Sequence, residues 1–203
     1  MADALLIDFG GVLTTSVWDS FRAFCQTEGL EEDRVRRLFR DDPDALALLR
    51  RLEVGGIDEA DFTEQFARML GVTEHEGLID RLFVEMEPQE EMFTALRRAR
   101  AGGIKTVLVS NSWGHGQYDR SLFGELFDGV VISGEVGLHK PQPEIFHLAA
   151  HTVDAEPKEC VFVDDLRENC AGAEAVGMTA VLHRSPKTTL DELERLLAVP
   201  LRA

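Results

Sequence analysis

Five short apolar runs constrain this chain more than any other feature. They are Leu5–Ile7, Thr106–Val109, Val130–Ile132, Cys160–Val163 and Thr179–Leu182, and most are bounded by Gly, Asp or Ser. Their aliphatic and β-branched content, without alternation of polar residues, is the pattern of parallel strands buried on both faces. From Leu96 onward the runs alternate with helical segments, which implies a doubly wound parallel sheet with helices on both sides. The first run is an exception, because helical patterns, not a second strand, follow it.

Between Ser16 and about Glu90 the periodicity is helical throughout. Val17–Glu28 puts Val17, Phe21, Phe24 and Cys25 on one face. Segments at Asp33–Arg40 and Pro43–Arg51 follow, and Gly55-Gly56 breaks the pattern. Asp58 is placed to cap a helix over Glu59–Leu70 that closes at Gly71, and Leu78–Met86 completes the series. An insertion of about 75 residues is too long for a loop. The expected organisation is therefore a core formed by residues 1–15 and 91–203, with a helical cap formed by residues 16–90.

Charge and cysteine content narrow the partners. A net charge of −16 over 203 residues argues against nucleic acid and against anionic membrane surfaces. No apolar stretch approaches the roughly 20 residues of a membrane span, and the amino terminus lacks a basic, signal-like region. Cys25, Cys160 and Cys170 are an odd set without metal-ligand spacing, as expected of reduced, buried thiols in a cytoplasmic protein. The oligomeric expectation is a monomer or a homodimer.

Four polar clusters follow the apolar runs: Asp8-Phe9-Gly10-Gly11-Val12-Leu13-Thr14, Ser110-Asn111-Ser112, His139-Lys140-Pro141-Gln142-Pro143, and Asp164-Asp165 with Arg167 and Asn169 beyond. Taken singly, each has a plain structural reading as a turn or a helix cap. In one parallel sheet, however, all four fall on the same edge, where such sheets bind ligands. Three clustered acids, Asp8, Asp164 and Asp165, raise one another's pKa or demand a cation. Hard carboxylate oxygens suit Mg²⁺, which binds through one or two carboxylates together with substrate phosphate. Lys140 adds positive charge, and Ser110 and the Asn111 and Ser112 amides are candidate donors to phosphoryl oxygens. A carboxylate nucleophile that forms an aspartyl phosphate is an established covalent strategy.

In the order Asp, Ser, Lys, Asp-Asp, and over essentially its whole length, the chain resembles the haloacid dehalogenase superfamily of hydrolases. The resemblance implies a three-layer α/β/α sandwich with a helical cap after the first strand. It makes Asp8 the nucleophile, with Ser110 and Lys140 as its catalytic partners. It assigns Asp8, Asp164, Asp165 and the Gly10 carbonyl to Mg²⁺, and Gly11, Asn111 and Ser112 to the substrate. The subgroup it most resembles contains bacterial sugar-phosphatases and the amino-terminal phosphatase domain of epoxide hydrolase. The implied activity is hydrolysis of a small phosphorylated metabolite.

One position departs from that pattern. Metal-dependent phosphatases of the superfamily usually carry a second Asp two residues after the nucleophile, and here that residue is Gly10. Acid/base assistance of this kind is typically worth about 10²–10⁴ in rate. His115 and His139 are candidates to replace it. Gly10 disfavours a mutase, the Asp164-Asp165 pair counts against a dehalogenase, and the absence of lysine from the cap counts against phosphonate cleavage. A catalytically weak binding or regulatory protein on the same fold is the alternative from another class. Trp18, Phe21, Arg22 and Arg51 are the cap residues expected to face the crevice.

Overall fold

The computed structural model describes residues 2–114 and 118–202. The chain opens with strand β1 (Ala4–Ile7) and then forms helices α1 (Val17–Thr27), α2 (Arg34–Asp41), α3 (Pro43–Glu53), α4 (Glu59–Leu70) and α5 (Leu78–Leu82). The helix starts are written locally. Ser16 Oγ accepts from the Asp19 N–H at 3.3 Å to begin α1. Asp42 Oδ1 accepts from Asp44 N at 2.9 Å ahead of α3, with Pro43 in its first turn. Asp58 Oδ1 accepts from Asp61 N at 2.8 Å to begin α4, which ends at Gly71 with φ +85°. Each such cap is worth about 1 kcal/mol. Helix α5 ends at Leu82 and not at Met86 as expected, because the chain must turn there to rejoin the core. Residues 87–89 run back beside residues 13–15, through Thr15 N to Glu87 O and Gln89 N to Leu13 O, both at 2.8 Å.

The remainder alternates: α6 (Glu90–Ala101), β2 (Lys105–Ser110), α7 (Phe123–Leu126), β3 (Gly129–Ile132), α8 (Ser133–Val136), α9 (Pro143–His151), β4 (Cys160–Asp164), α10 (Arg167–Ala175), β5 (Thr179–Leu182) and α11 (Pro186–Leu197). The five strands form one wholly parallel sheet in the order β3-β2-β1-β4-β5. Leu6 on the central strand pairs with Val107 on one side and Phe162 on the other.

Strand alternation divides the core into two faces. Leu5 and Ile7 join Leu108, Val161 and Val163 beneath α6 and α11. Ala4 and Leu6 join Val107, Val109 and Phe162 beneath α9 and α10. The architecture is thus the expected α/β/α sandwich. A third apolar cluster is made only of residues between Phe21 and Leu82, with Phe24, Phe62 and Phe66 almost wholly buried in it.

Among the described residues, one side chain from beyond β2 packs into that cluster. Trp113, just past β2, packs its ring 5.3–5.9 Å from Phe83, Phe21, Phe39 and Phe62. Aromatic pairs of this kind add about 0.5–1.5 kcal/mol each beyond area burial. The three cysteines are buried and unpaired, and no helix among the described residues is long and apolar enough to cross a membrane.

Candidate active site

The sheet places the polar clusters together. Asp8 lies one residue past β1, and its N–H donates to Val163 O at 2.9 Å. Strands β2 and β4 end at Ser110 and Asp164. Because all strands run the same way, these three residues share one edge. The strand order reverses on either side of β1, which opens a crevice there.

Lys140 is the hub of the site. Its buried ammonium lies 2.7 Å from Asp8 Oδ1 and 2.7 Å from Asp164 Oδ2. Asn111 fixes its backbone at both ends: Oδ1 accepts from Lys140 N at 2.8 Å, and Nδ2 donates to Lys140 O at 3.1 Å. Asp164 is fully buried, and every lone-pair position on its carboxylate has a donor. Oδ1 takes Leu166 N at 2.9 Å and Asn169 Nδ2 at 3.0 Å, while Oδ2 takes Lys140 Nζ and a second Asn169 contact at 3.1 Å. Burial alone would favour a neutral lysine, but the Asp164 and Asp8 carboxylates outweigh it and hold the ammonium charged. Burial pushes the Asp8 carboxyl well above its ordinary range, against the pull of Lys140 and with the repulsion of Asp164 and Asp165 added.

Asp165 completes the acidic group. Oxygens of Asp8, Asp164 and Asp165 all lie within 4.8 Å of one another. Burial and then the charge of Asp164 lift Asp165 to about 6. Three carboxylates against one ammonium leave the site two positive charges short, and the donor set, all hard oxygen, fits Mg²⁺. With Asp164 saturated, the oxygens left open belong to Asp8 and Asp165. Gly11 makes this approach possible: its φ is +75°, and a Cβ there would sit 2.7 Å from Asp165 Oδ2.

The donors expected for substrate separate into two groups. Tyr118 OH donates to Ser110 Oγ at 2.9 Å. Burial pushes the Tyr118 hydroxyl up to about 12, so it stays protonated and the Ser110 hydrogen remains free to donate into the crevice. Asn111 also lines the crevice. The backbone amides of Gly11 and Ser112, both assigned to the substrate by resemblance, have other partners: Gly11 N donates to Thr14 Oγ1 at 3.1 Å, and Ser112 N to Ser133 Oγ at 2.9 Å. Gly11 acts through the room it leaves, and Ser112 through the contact it makes with α8. At Gly10, a Cβ would press on Val17 Cγ2 at 3.0 Å, so the position that usually carries an acid is crowded as well as bare. His139 lines the crevice with its Nδ1 2.8 Å from Lys140 O. His115 lies outside the described residues.

Above this floor a cavity of about 550 Å³ rises between the sheet edge and helices α1–α3. Trp18, Phe21, Phe39, Leu49, Phe83 and Trp113 make its apolar wall. Arg22 and Arg51 do not line it. Arg22 pairs with Asp19 at the surface, at 2.7 Å, and Arg36, Arg40 and Arg50 join Lys140 as the cavity's cations. A half-buried acid of α3, Glu53, also lines it, a position the sequence does not single out. Its signal was faint: one glutamate at the end of an amphipathic helix, in phase with Leu46, Leu49 and Arg50.

A family model described as haloacid dehalogenase-like hydrolase matches residues 2–177. Acyl-CoA dehydrogenase family member 10 of Mus musculus is 27% identical over 98% of this chain, which spans 19% of that protein. Glyceraldehyde 3-phosphate phosphatase of Methanopyrus kandleri is 32% identical over 53% of this chain and 48% of its own length. The chain thus spans from about a fifth to a half of these relatives. Among solved structures, a haloacid dehalogenase family enzyme from Bacteroides thetaiotaomicron, complexed with magnesium and inorganic phosphate, aligns with a TM-score of 0.66 at 22% identity, over 91% of this chain and 95% of its own.

Proposed function

The chain belongs to the haloacid dehalogenase-like hydrolases, and from that premise we propose that it is a Mg²⁺-dependent phosphatase working through an aspartyl phosphate on Asp8. The observation that carries this reading is the buried set of Asp8, Lys140 and Asp164 at one strand edge, with Asp165 and the Ser110 hydroxyl beside it. Phosphoryl transfer needs a positioned nucleophile and fixed positive charge around the phosphoryl oxygens. Asp8 supplies the nucleophilic oxygen. Lys140, held by Asp164 and Asn111, supplies charge that cannot swing away. Ser110, oriented by Tyr118, donates to a phosphoryl oxygen, and the Asn111 backbone is a second candidate donor.

Asp8 and Asp165 are the side chains that would hold Mg²⁺, with the Gly10 carbonyl as a third ligand and Asp164 behind Lys140. When bound, the ion neutralises and orients the phosphate dianion. Residues 16–90 act as the cap that encloses the leaving group and excludes water.

The cavity wall adds a statement about substrate. A phosphate monoester with an apolar body fills the aromatic wall above Asp8 better than a polyhydroxylated one does. Burying about 100–150 Å² of apolar ligand surface contributes about 2–4 kcal/mol, so kcat/KM should favour an aryl or long-chain alkyl phosphate over a sugar phosphate by at least about tenfold. The test is a panel of both classes assayed with Mg²⁺ and with a chelator. The reading expects turnover that the chelator removes and an apolar preference. Equal or inverted preference would refute the substrate statement, and metal-independent turnover would refute the mechanism.

A further inference from the structure

The proton transfers that Gly10 cannot perform still have to be assigned. In an in-line displacement the leaving oxygen departs on the side of phosphorus opposite the nucleophile. Asp8 sits at the sheet edge, so the leaving oxygen points into the cavity beneath the cap. With Gly10 unable to supply it, a proton donor for that oxygen can come from a side chain of α1–α5 that lines the cavity.

Glu53, the last residue of α3, is the cap acid in that cavity. Its position is fixed from the core. Its backbone carbonyl accepts a hydrogen bond from Ser133 Oγ at the start of α8. Two residues on, Gly55 takes φ +69° and approaches Gly134 so closely that a Cβ would lie 2.8 Å from the Gly134 carbonyl oxygen. The Gly55-Gly56 break therefore docks this end of α3 on the core. Glu53 shares the cavity lining with Asn111, the side chain that clamps Lys140.

We propose that Glu53 is the general acid and base of the reaction, in place of the acid missing at position 10. This inference rests on the phosphatase reading above. As Asp8 Oδ bonds to phosphorus and the ester P–O bond breaks, the Glu53 carboxyl gives its proton to the departing oxygen. The Glu53 carboxylate then takes a proton from the water whose oxygen bonds to phosphorus, and the Asp8–phosphorus bond breaks. Both side chains return to their starting states with one ester and one water consumed.

The surroundings suit the task. Burial lifts Glu53 to about 7, against the weaker pull of Lys140, Arg50 and the Asn111 amide. Arg36 and Arg40 of α2 line the same cavity, and Asp165, Glu168 and His139 face it from the core. The competitors fit less well. The Tyr118 hydroxyl already donates to Ser110 and is held near 12. His139 comes from the core side, with Nδ1 committed to the Lys140 carbonyl.

The test compares wild type, E53Q and D8N on an aryl phosphate, whose leaving group needs no proton, and on an alkyl phosphate, whose leaving group does. E53Q should lose about 10²–10³ in kcat/KM on the alkyl ester and less than about tenfold on the aryl ester. The fall in wild-type alkyl activity above pH about 7, where Glu53 gives up its proton, should vanish in E53Q. As a readout independent of turnover, carboxyl NMR of the wild type should show Glu53 titrating near neutrality. Equal losses on both esters, a limb that persists in E53Q, or a Glu53 titrating in the ordinary carboxylate range would each overturn the assignment while leaving D8N-sensitive turnover intact. If wild type and D8N are equally inactive on both esters, the phosphatase reading fails and this assignment fails with it.

Discussion

Replacing Asp8 with Asn should abolish phosphatase turnover while leaving the fold in place. The amide cannot attack phosphorus to give a stable acyl phosphate. Loss of a covalent nucleophile typically costs on the order of 10⁴-fold or more in kcat. Asn is nearly isosteric, and its oxygen can still accept from the Phe9 N–H and the Lys140 ammonium, both now at 2.7 Å from Asp8 Oδ1. Burial and two neighbouring acids already disfavour charge at this position. Removing that charge therefore should not lower thermal stability by more than a few degrees. Kinetics and thermal unfolding on the same preparation check both halves. A variant with even a tenth of wild-type activity would remove Asp8 from the mechanism.

Lys140→Met should fail differently, by losing stability as well as turnover. The lysine is the one cation in contact with two buried carboxylates among the described residues. Without it, Asp8 and Asp164 face each other and Asp165 uncompensated. Breaking one side of a buried ion pair costs about 3–5 kcal/mol, or roughly 10 °C in melting temperature for a chain of this size. The sign of the pH dependence follows. With Lys140 gone, the Asp8 and Asp165 carboxyls, already raised by burial, rise further above the unfolded value of about 4. The folded state then binds more protons than the unfolded state, and stability falls as pH rises through that window. The variant should lie closest to wild type near pH 5 and furthest from it near pH 8. A loss of stability independent of pH would mean that Lys140 matters for packing and not for charge.

The sheet and the convergence of its polar ends were legible because both are set by short-range pattern. Unbroken apolar runs specify buried strands, and parallel strands force Asp8, Ser110 and Asp164 to one edge whatever the loops do. Lys140 was readable as a charge but not as the hub, since its two carboxylate contacts depend on the Asn111 clamp across the chain. The Ser112 amide reads as a substrate donor because it follows Ser110, and Gly11 reads as part of the same site because it follows Asp8. Which amide is free is decided by tertiary partners, Thr14 and Ser133, that spacing does not reveal. Trp18 and Phe21 line the cavity as expected, whereas Arg22 and Arg51 do not. Helical period groups Leu46, Leu49, Arg50 and Glu53 together but does not say which side meets the core, and Arg51 lies one residue out of phase with the face that does.

The central claim is that Asp8 becomes covalently phosphorylated in each turnover. The stereochemical course at phosphorus tests it without requiring the intermediate to accumulate. A substrate made chiral at phosphorus with oxygen isotopes undergoes two in-line displacements if Asp8 intervenes, and one if water attacks directly. The account predicts net retention of configuration in the inorganic phosphate released. Net inversion would contradict it.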